Sequence, residues 1–433
     1  MDYIPFLTML GKFILGLSLI VGIHELGHLF FAKVFAMRVE EYMIFLPPKL
    51  FSFKWGETEY GVGSIPLGGF VKIAGMVDGA MDEAQVNGPA EGWEFRSKSR
   101  LKQLLVMLGG IIFNLMSAFF IYACIFYLAG RPYIAKQTFN GHGIEPTQLG
   151  LTVGLKWGDR VISKNGLDFR SFEELQTGLG KELSYVVLRG GKEVVINVNE
   201  VVLDDMKLQN QSLMRPLLPF VIGEVKARGL GDQAGLKKGD RILFVNDMPT
   251  PYVQDLSRIL DSYEGGTLKV TCERNGRVFT KEIPFGNQDV LGIGLESTLE
   301  KSWQSYSLSQ ACMTSILNIG QIIKLQAKGL ALMATGKISP FKSIAGPVQI
   351  MKVFGMSSGY YSFWALLALL SVIIAFMNLL PIPTLDGGRV AIIICEMLMG
   401  GSLSNSWRFR LERLGMLILL LLMLFGLFND FFG

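Results

Sequence analysis

The chain is short of charge and of histidine. Only 18% of its 433 residues are Asp, Glu, Lys or Arg, against about 25% in a typical soluble protein, and half are hydrophobic. A net charge of +4 is too slight to track a polyanion, so nucleic acid is not an expected partner. Four cysteines, Cys124, Cys272, Cys312 and Cys395, are scattered without Cys-x-x-Cys spacing, and neither a disulfide framework nor a cysteine metal site is expected. The first apolar run lacks a basic n-region and a small-residue cleavage site, so it is expected to be retained and not removed as a signal peptide. Histidine occurs at His24, His28 and His142 only. Two of these three lie together inside the apolar run 14–31, the costliest place for them.

What is present at that place is ordered chemistry. A charged residue at the centre of a bilayer costs about 2.5 kcal/mol or more, so intramembrane ionisable groups are functional candidates by default. The run holds His24-Glu25-Leu26-Gly27-His28. Residues i and i+4 share a helix face, so both imidazoles can serve one zinc ion. Glu25, next to the first of them, can act as general base on water activated by the metal. Two histidines leave a catalytic zinc one protein ligand short. A second polar cluster, Asn378-Leu379-Leu380-Pro381-Ile382-Pro383-Thr384-Leu385-Asp386-Gly387, closes a later apolar run, and Asp386 is the natural third ligand. His142 lies in a Gly-rich stretch and is expected at the surface, without metal.

Four segments are long and apolar enough to span a bilayer: about 4–35, 104–129, 363–380 with flanks, and 414–428 with flanks. The stretch 308–335 is interrupted by Lys324 and Lys328. Its stripe of Ile316, Ile319, Ile323 and Leu330 predicts an interfacial amphipathic helix. Arg96, Lys98, Arg100 and Lys102 precede the second span, and Arg408, Arg410 and Arg413 precede the fourth. Both clusters are expected on the cytoplasmic side, which puts 131–306 on the opposite side.

That long segment contains a repeat. Residues 154–165 (GLKWGDRVISKN) align with 235–246 (GLKKGDRILFVN), with seven of twelve positions identical at a spacing of 81. Each copy is followed by a helix-like stretch (172–179; 253–262) and two alternating strands. Asn275-Gly276 is a strong hairpin signal. Two copies of one small domain are expected.

The copies, with Gly154-Leu155, Gly158-Asp159-Arg160-Val161 and Gly235-Leu236, Gly239-Asp240-Arg241-Ile242, resemble bacterial PDZ domains. Together with the membrane motifs, nearly the whole chain resembles a site-2 protease, of the bacterial regulator-of-sigma-E protease type with tandem PDZ domains. The resemblance implies zinc held by His24, His28 and Asp386, with Glu25 catalytic. Gly110-x-x-x-Asn114 looks like the family's element in the second span. Residues 64–72 (SIPLGGFVK) resemble the loop that engages substrate as an added strand, which makes Gly68, Gly69 and Phe70 substrate-binding candidates. Asn114 and Asn378 are further candidates, for satisfying the substrate backbone or orienting the reacting carbonyl.

The implied architecture is a polytopic α-helical membrane protein of about four transmembrane helices, with a membrane-associated β-loop and two extramembrane α+β PDZ domains. Its expected parts are a first membrane helix (1–37), a cytoplasmic region with the β-loop (38–103) and a second helix (104–130). PDZ copies at 143–205 and 214–287 and an interfacial helical region at 305–345 follow. A third helix (357–382), a Leu-Asp-Gly segment with a cytoplasmic loop (383–410) and a fourth helix (411–430) complete it. The expected substrates are single-span membrane proteins, anti-sigma-like or signal-peptide remnants, cut after a first cleavage, with peptide C-termini bound by the PDZ copies. The expected location is the bacterial inner membrane, with the PDZ copies periplasmic. The main alternative is a membrane PDZ scaffold or chaperone with a structural zinc site, which has no use for Glu25. A transporter is disfavoured because the only repeat lies outside the membrane pairs.

Overall fold

The structure, a computed structural model, describes residues 3–66, 68–76, 89–176, 182–209, 212–227, 229–260, 263, 265–286, 291–295, 299, 301–336, 346–357, 359–401 and 403–432. Leu67, most of the acidic Gly-rich loop between Gly75 and Trp93, and residues 337–345 lie outside these. The chain divides into two units, one helical (1–130 with 305–433) and one built from the repeat (131–304).

In the helical unit, α1 (Tyr3–Val34) runs into a four-stranded sheet of β1 (Val39–Ile44), β2 (Leu46–Trp55), β3 (Thr58–Ile65) and β4 (Phe70–Ile73). The sheet order is β2-β3-β1-β4, with β1 parallel to β3 and antiparallel to β4. β4 therefore has a strand on one side only, among the described residues. The Tyr42 hydroxyl in β1 donates to Gly22 O at 2.7 Å and ties the sheet to α1. Burial, then the nearby Glu25 carboxyl and Tyr60, push this phenol up to about 12.

The remaining helices are α2 (Arg100–Leu128), α3 (Leu308–Ala334), α4 (Pro347–Met356), α5 (Gly359–Asn378), α6 (Asp386–Met399) and α7 (Asn405–Phe432). Among the described residues four helical stretches are long and apolar enough to cross a membrane: Phe6–Val34, Arg100–Leu128, Gly359–Asn378 and Ser406–Asp430. Helix α3 is not one of them. Its expected stripe divides, because Ile319 and Ile323 pack with Tyr122 and Phe126 of α2 and Val372 of α5 while Ile316 and Leu330 stay exposed.

Within the segment 383–410, expected as the Leu-Asp-Gly segment with a cytoplasmic loop, Asp386–Met399 forms helix α6, closed by Gly400 in the left-handed region (φ 66°). The arginines expected to precede the fourth span lie inside the first turns of α7, since nothing after Asn405 breaks the helical pattern.

Each copy in the repeat unit is built on a larger antiparallel sheet, of three strands in the first and four in the second. Arg160–Lys164, Leu183–Arg189 and Lys192–Val198 form one. The other comprises Met248–Pro249, Arg241–Val245, Gly266–Arg274 and Arg277–Phe285, turned at Asn275 and Gly276, both with positive φ. Short strands cross the limits read from sequence. Met214–Pro216, expected at the start of the second copy (214–287), pairs with Ile144–Pro146 of the first, and Ile293–Leu295, past 287, pairs with Ile222–Val225 of the second. Runs of three or four residues carry no periodic signal, so the sequence does not show which copy they join. The first copy also has a helix, Glu200–Gln209, whose Leu203 and Met206 enter its core. His142, expected at the surface, is half-buried with its ring edge-on to Tyr252 at 5.9 Å.

Candidate metal centre

Helix α1 places His24 and His28 one turn apart, and α2 supports both from behind. His28 Nδ1 lies 2.8 Å from Val106 O and donates to it, which leaves Nε2 as the lone-pair nitrogen. Fully buried Asn114 puts its amide 3.3 Å from His24 Nδ1. The amide oxygen of Asn114 otherwise has no partner, and exchanging the amide's O and N makes it the acceptor for His24 Nδ1–H. Asn114 thus stands behind a histidine and does not line the cavity described below.

The two helices come this close because the crossing lacks side chains. A Cβ at Gly27 would lie 2.1 Å from Gly109 O, and one at Gly110 would lie 2.4 Å from His24 Cε1 and 2.6 Å from His28 Nε2. Gly27 and Gly109 drew no attention in the sequence, although small residues in two apolar helices are the available signal for such a crossing.

Asp386 arrives from the other side. Helix α5 ends at Asn378, and residues 379–385, with Pro381 and Pro383, leave helical geometry before α6 begins at Asp386. Gly387 and Gly388 let this segment fold tightly over the start of α6, where Cβ atoms would meet Leu379 O at 2.3 Å and Ile382 O at 2.1 Å. Asp386 Oδ2 is thereby held 3.1 Å from His24 Nε2 and 3.3 Å from His28 Nε2. The two Nε2 atoms are 3.3 Å apart.

These three atoms form a triangle of lone pairs. Asp386 Oδ2 is buried and accepts no hydrogen bond. Three acceptors at such distances repel unless a cation lies between them. Ligands about 2.0–2.1 Å from one tetrahedral zinc stand about 3.3 Å from each other, so the triangle has the size of a zinc coordination face. Among the described residues His24, His28 and Asp386 are the one cluster with metal-holding geometry.

A cavity of about 1240 Å³ opens onto this triangle. Glu25 lines it and is buried, in the electrostatic field of His24, His28, Asp386 and Arg389. Gly68, Gly69 and Phe70 line it too, and a Cβ at Gly69 would lie 3.0 Å from Glu25 Cγ. Asn378 is on the same wall, with Nδ2 3.4 Å from His24 Nε2. Of the catalytic, metal-ligating and substrate-binding candidates read from the sequence, Asn114 alone stands outside the cavity lining.

Residues 12–422 match the model of Peptidase family M50. The chain belongs to that family. Its members are zinc-dependent, and this M50 chain is accordingly a zinc metalloendopeptidase. It is similar to the regulator of sigma E protease of Haemophilus influenzae, 30% identical with 98% of this chain and 99% of that one covered. A regulator of sigma E protease of Salmonella typhimurium is 26% identical, with 98% of both chains covered. A relative in Borreliella burgdorferi named as a zinc metalloprotease is 29% identical, with 97% of each covered.

Proposed function

We propose that this M50 peptidase cuts single-span membrane proteins inside the bilayer, after an earlier cleavage has removed their outer domains, with anti-sigma-like proteins or signal-peptide remnants as the substrate class. The observation that carries this is the triangle of His24, His28 and Asp386, set at the ends and crossings of apolar helices and facing a cavity with Glu25. Zinc held there supplies Lewis-acid polarisation of a peptide carbonyl and acidification of a water molecule.

The residues divide the remaining tasks. Glu25 accepts a proton from water and returns it to the leaving amine. Asn114 fixes the orientation of His24, and Val106 O that of His28, so the metal meets preset ligands. Asn378, beside His24 Nε2, holds the reacting carbonyl. A helical substrate hides its carbonyls, so it must be presented extended. The open edge of β4 next to Gly68 and Gly69 supplies backbone partners for an added strand, which is the tolerable arrangement at membrane depth.

The repeats read best as two PDZ-like domains on the periplasmic side, able to meet newly made C-termini or to exclude untrimmed substrates. The cytoplasmic side is assigned from the arginines and lysines at the starts of α2 and α7. A scaffold with structural zinc would have no use for a buried carboxylate at Glu25.

The test is cleavage of a membrane-tethered substrate by purified protein. Glu25→Gln is expected to retain about one zinc per chain and to lose activity by about 10²–10⁴-fold. Near-normal turnover would remove Glu25 from the mechanism.

A further inference from the structure

Strand addition at β4 solves half of a problem. An extended peptide has two hydrogen-bonding edges, and in an apolar cavity the second also needs partners. Among the described residues, two that line this cavity carry a buried donor that lacks one. Arg389 Nε and Thr384 Oγ1 are both buried without a hydrogen-bond partner among the described residues. Both residues line the cavity that also contains Gly68, Gly69 and Phe70, and Thr384 and Arg389 flank Asp386 in sequence at positions −2 and +3.

Arg389 is also held in place. It lies one turn into α6, and its Nη2 pairs with Glu412 of α7 at 3.4 Å, where Glu412 is itself buried. The guanidinium charge is thus compensated by α7 while the Nε–H is left over. A buried donor left unmade is costly, and such a group in a substrate cavity marks the place of an incoming acceptor.

We propose that Arg389 and Thr384 form the second wall of the substrate cleft, donating to main-chain carbonyls on the edge of the bound strand that β4 does not pair. This rests on the strand-addition reading above and adds to it a pair of substrate-binding residues. The ligand chemistry is the peptide carbonyl, so the contact is blind to side-chain identity and sensitive to whether the segment is unwound.

Arg389→Lys separates the two properties of the side chain, because lysine keeps a cation for Glu412 and has no Nε–H. Thr384→Val keeps shape and removes the hydroxyl, while Thr384→Ser restores it. Each of the first two is expected to lower kcat/KM on a trimmed single-span substrate about 5- to 20-fold. Substrate affinity measured in the Glu25→Gln background should fall by a similar factor, with zinc content and Tm unchanged and Thr384→Ser near the parent. A substrate bearing a thioamide, a weaker acceptor, beside the cut site should be penalised less by the Arg389→Lys enzyme than by the parent.

Phe70→Pro and Val71→Pro are run in parallel, because one of these adjacent N–H groups faces the open edge of β4. If a proline impairs binding while Arg389→Lys and Thr384→Val bind and cut like the parent, the second-wall assignment is overturned and strand addition stands. If neither proline impairs binding, strand addition fails and the second wall falls with it.

Discussion

The repeat unit buries Asp159 and Asp240, the helical unit buries one oxygen of the half-buried Asp386, and the two units treat these carboxylates in opposite ways. In the repeat unit Asp240 receives Arg274 through Nε and Nη2 at 2.6 and 2.7 Å and the Lys237 amide at 2.8 Å. Asp159 in the first copy repeats the pattern with Arg189 at 2.8 and 2.7 Å and the Lys156 amide at 2.8 Å. In the helical unit Asp386 Oδ2 faces two imidazole nitrogens and accepts no hydrogen bond. A buried carboxylate with both oxygens hydrogen-bonded is structural. One held against other acceptors is an incomplete coordination shell. The aspartates of the repeats are part of its turn geometry, which is why they recur at the same spacing as the glycines around them.

The comparison is broken most severely at Asp386. Asp386→Asn is expected to weaken zinc binding at least about 100-fold and to abolish cleavage, because a neutral amide is a poor ligand. Tm of the zinc-free protein should hardly move, since no donor is orphaned. Unchanged zinc content with lost activity would place Asp386 outside the coordination sphere.

Gly110→Val probes the same site through its packing. The added atoms would meet both imidazoles, so activity should fall about 10- to 100-fold by displacement of the ligands by a fraction of an ångström. Gly11 has open space around its Cβ position, and Gly11→Val serves as the control. Equal activities of the two variants would refute the close crossing.

The smallest effect is expected in the repeats. Asp240→Asn should destabilise the second copy by about 1–3 kcal/mol, read by hydrogen exchange across residues 241–285, and leave zinc content intact. Burial raises the Asp240 carboxyl, but the Arg274 and Lys237 hydrogen bonds outweigh it and hold it below the usual carboxylate range. A depressed folded pKa means stability that is present in full above the unfolded value of about 4 and is lost as pH falls through the folded one. Acid should therefore loosen the parent's second copy more than that of Asp240→Asn. Identical acid profiles would show the pair to be energetically idle.

The same contrast explains what could be read from sequence. His24, Glu25, His28 and Asp386 were legible because chemistry fixes their spacing and hydrophobic surroundings make them conspicuous. The repeat was legible because Gly-Asp-Arg turns recur with their partners. Asn114 was visible as a polar residue, but its station behind His24 depends on the rotation of α2 about its axis, which a local pattern does not specify. Val106 contributes only its carbonyl, so no side-chain rule marks it. Helix α6 was missed because Pro381, Pro383 and two glycines dominate the local signal, although Gly400 ends the helix in the expected manner. Arg389 gained a role only when Glu412, 23 residues later, was seen beside it.

The glycine crossing of α1 and α2 bears on time as well as on distance. Where two backbones touch, no side chain can change rotamer to open a path, so releasing an imidazole requires whole helices to part. Such motions belong to microseconds and milliseconds, against picoseconds to nanoseconds for a side chain on an open surface. The two imidazoles should therefore keep their places through many catalytic cycles, so that an ion entering or leaving by way of the cavity meets ligands that are already set.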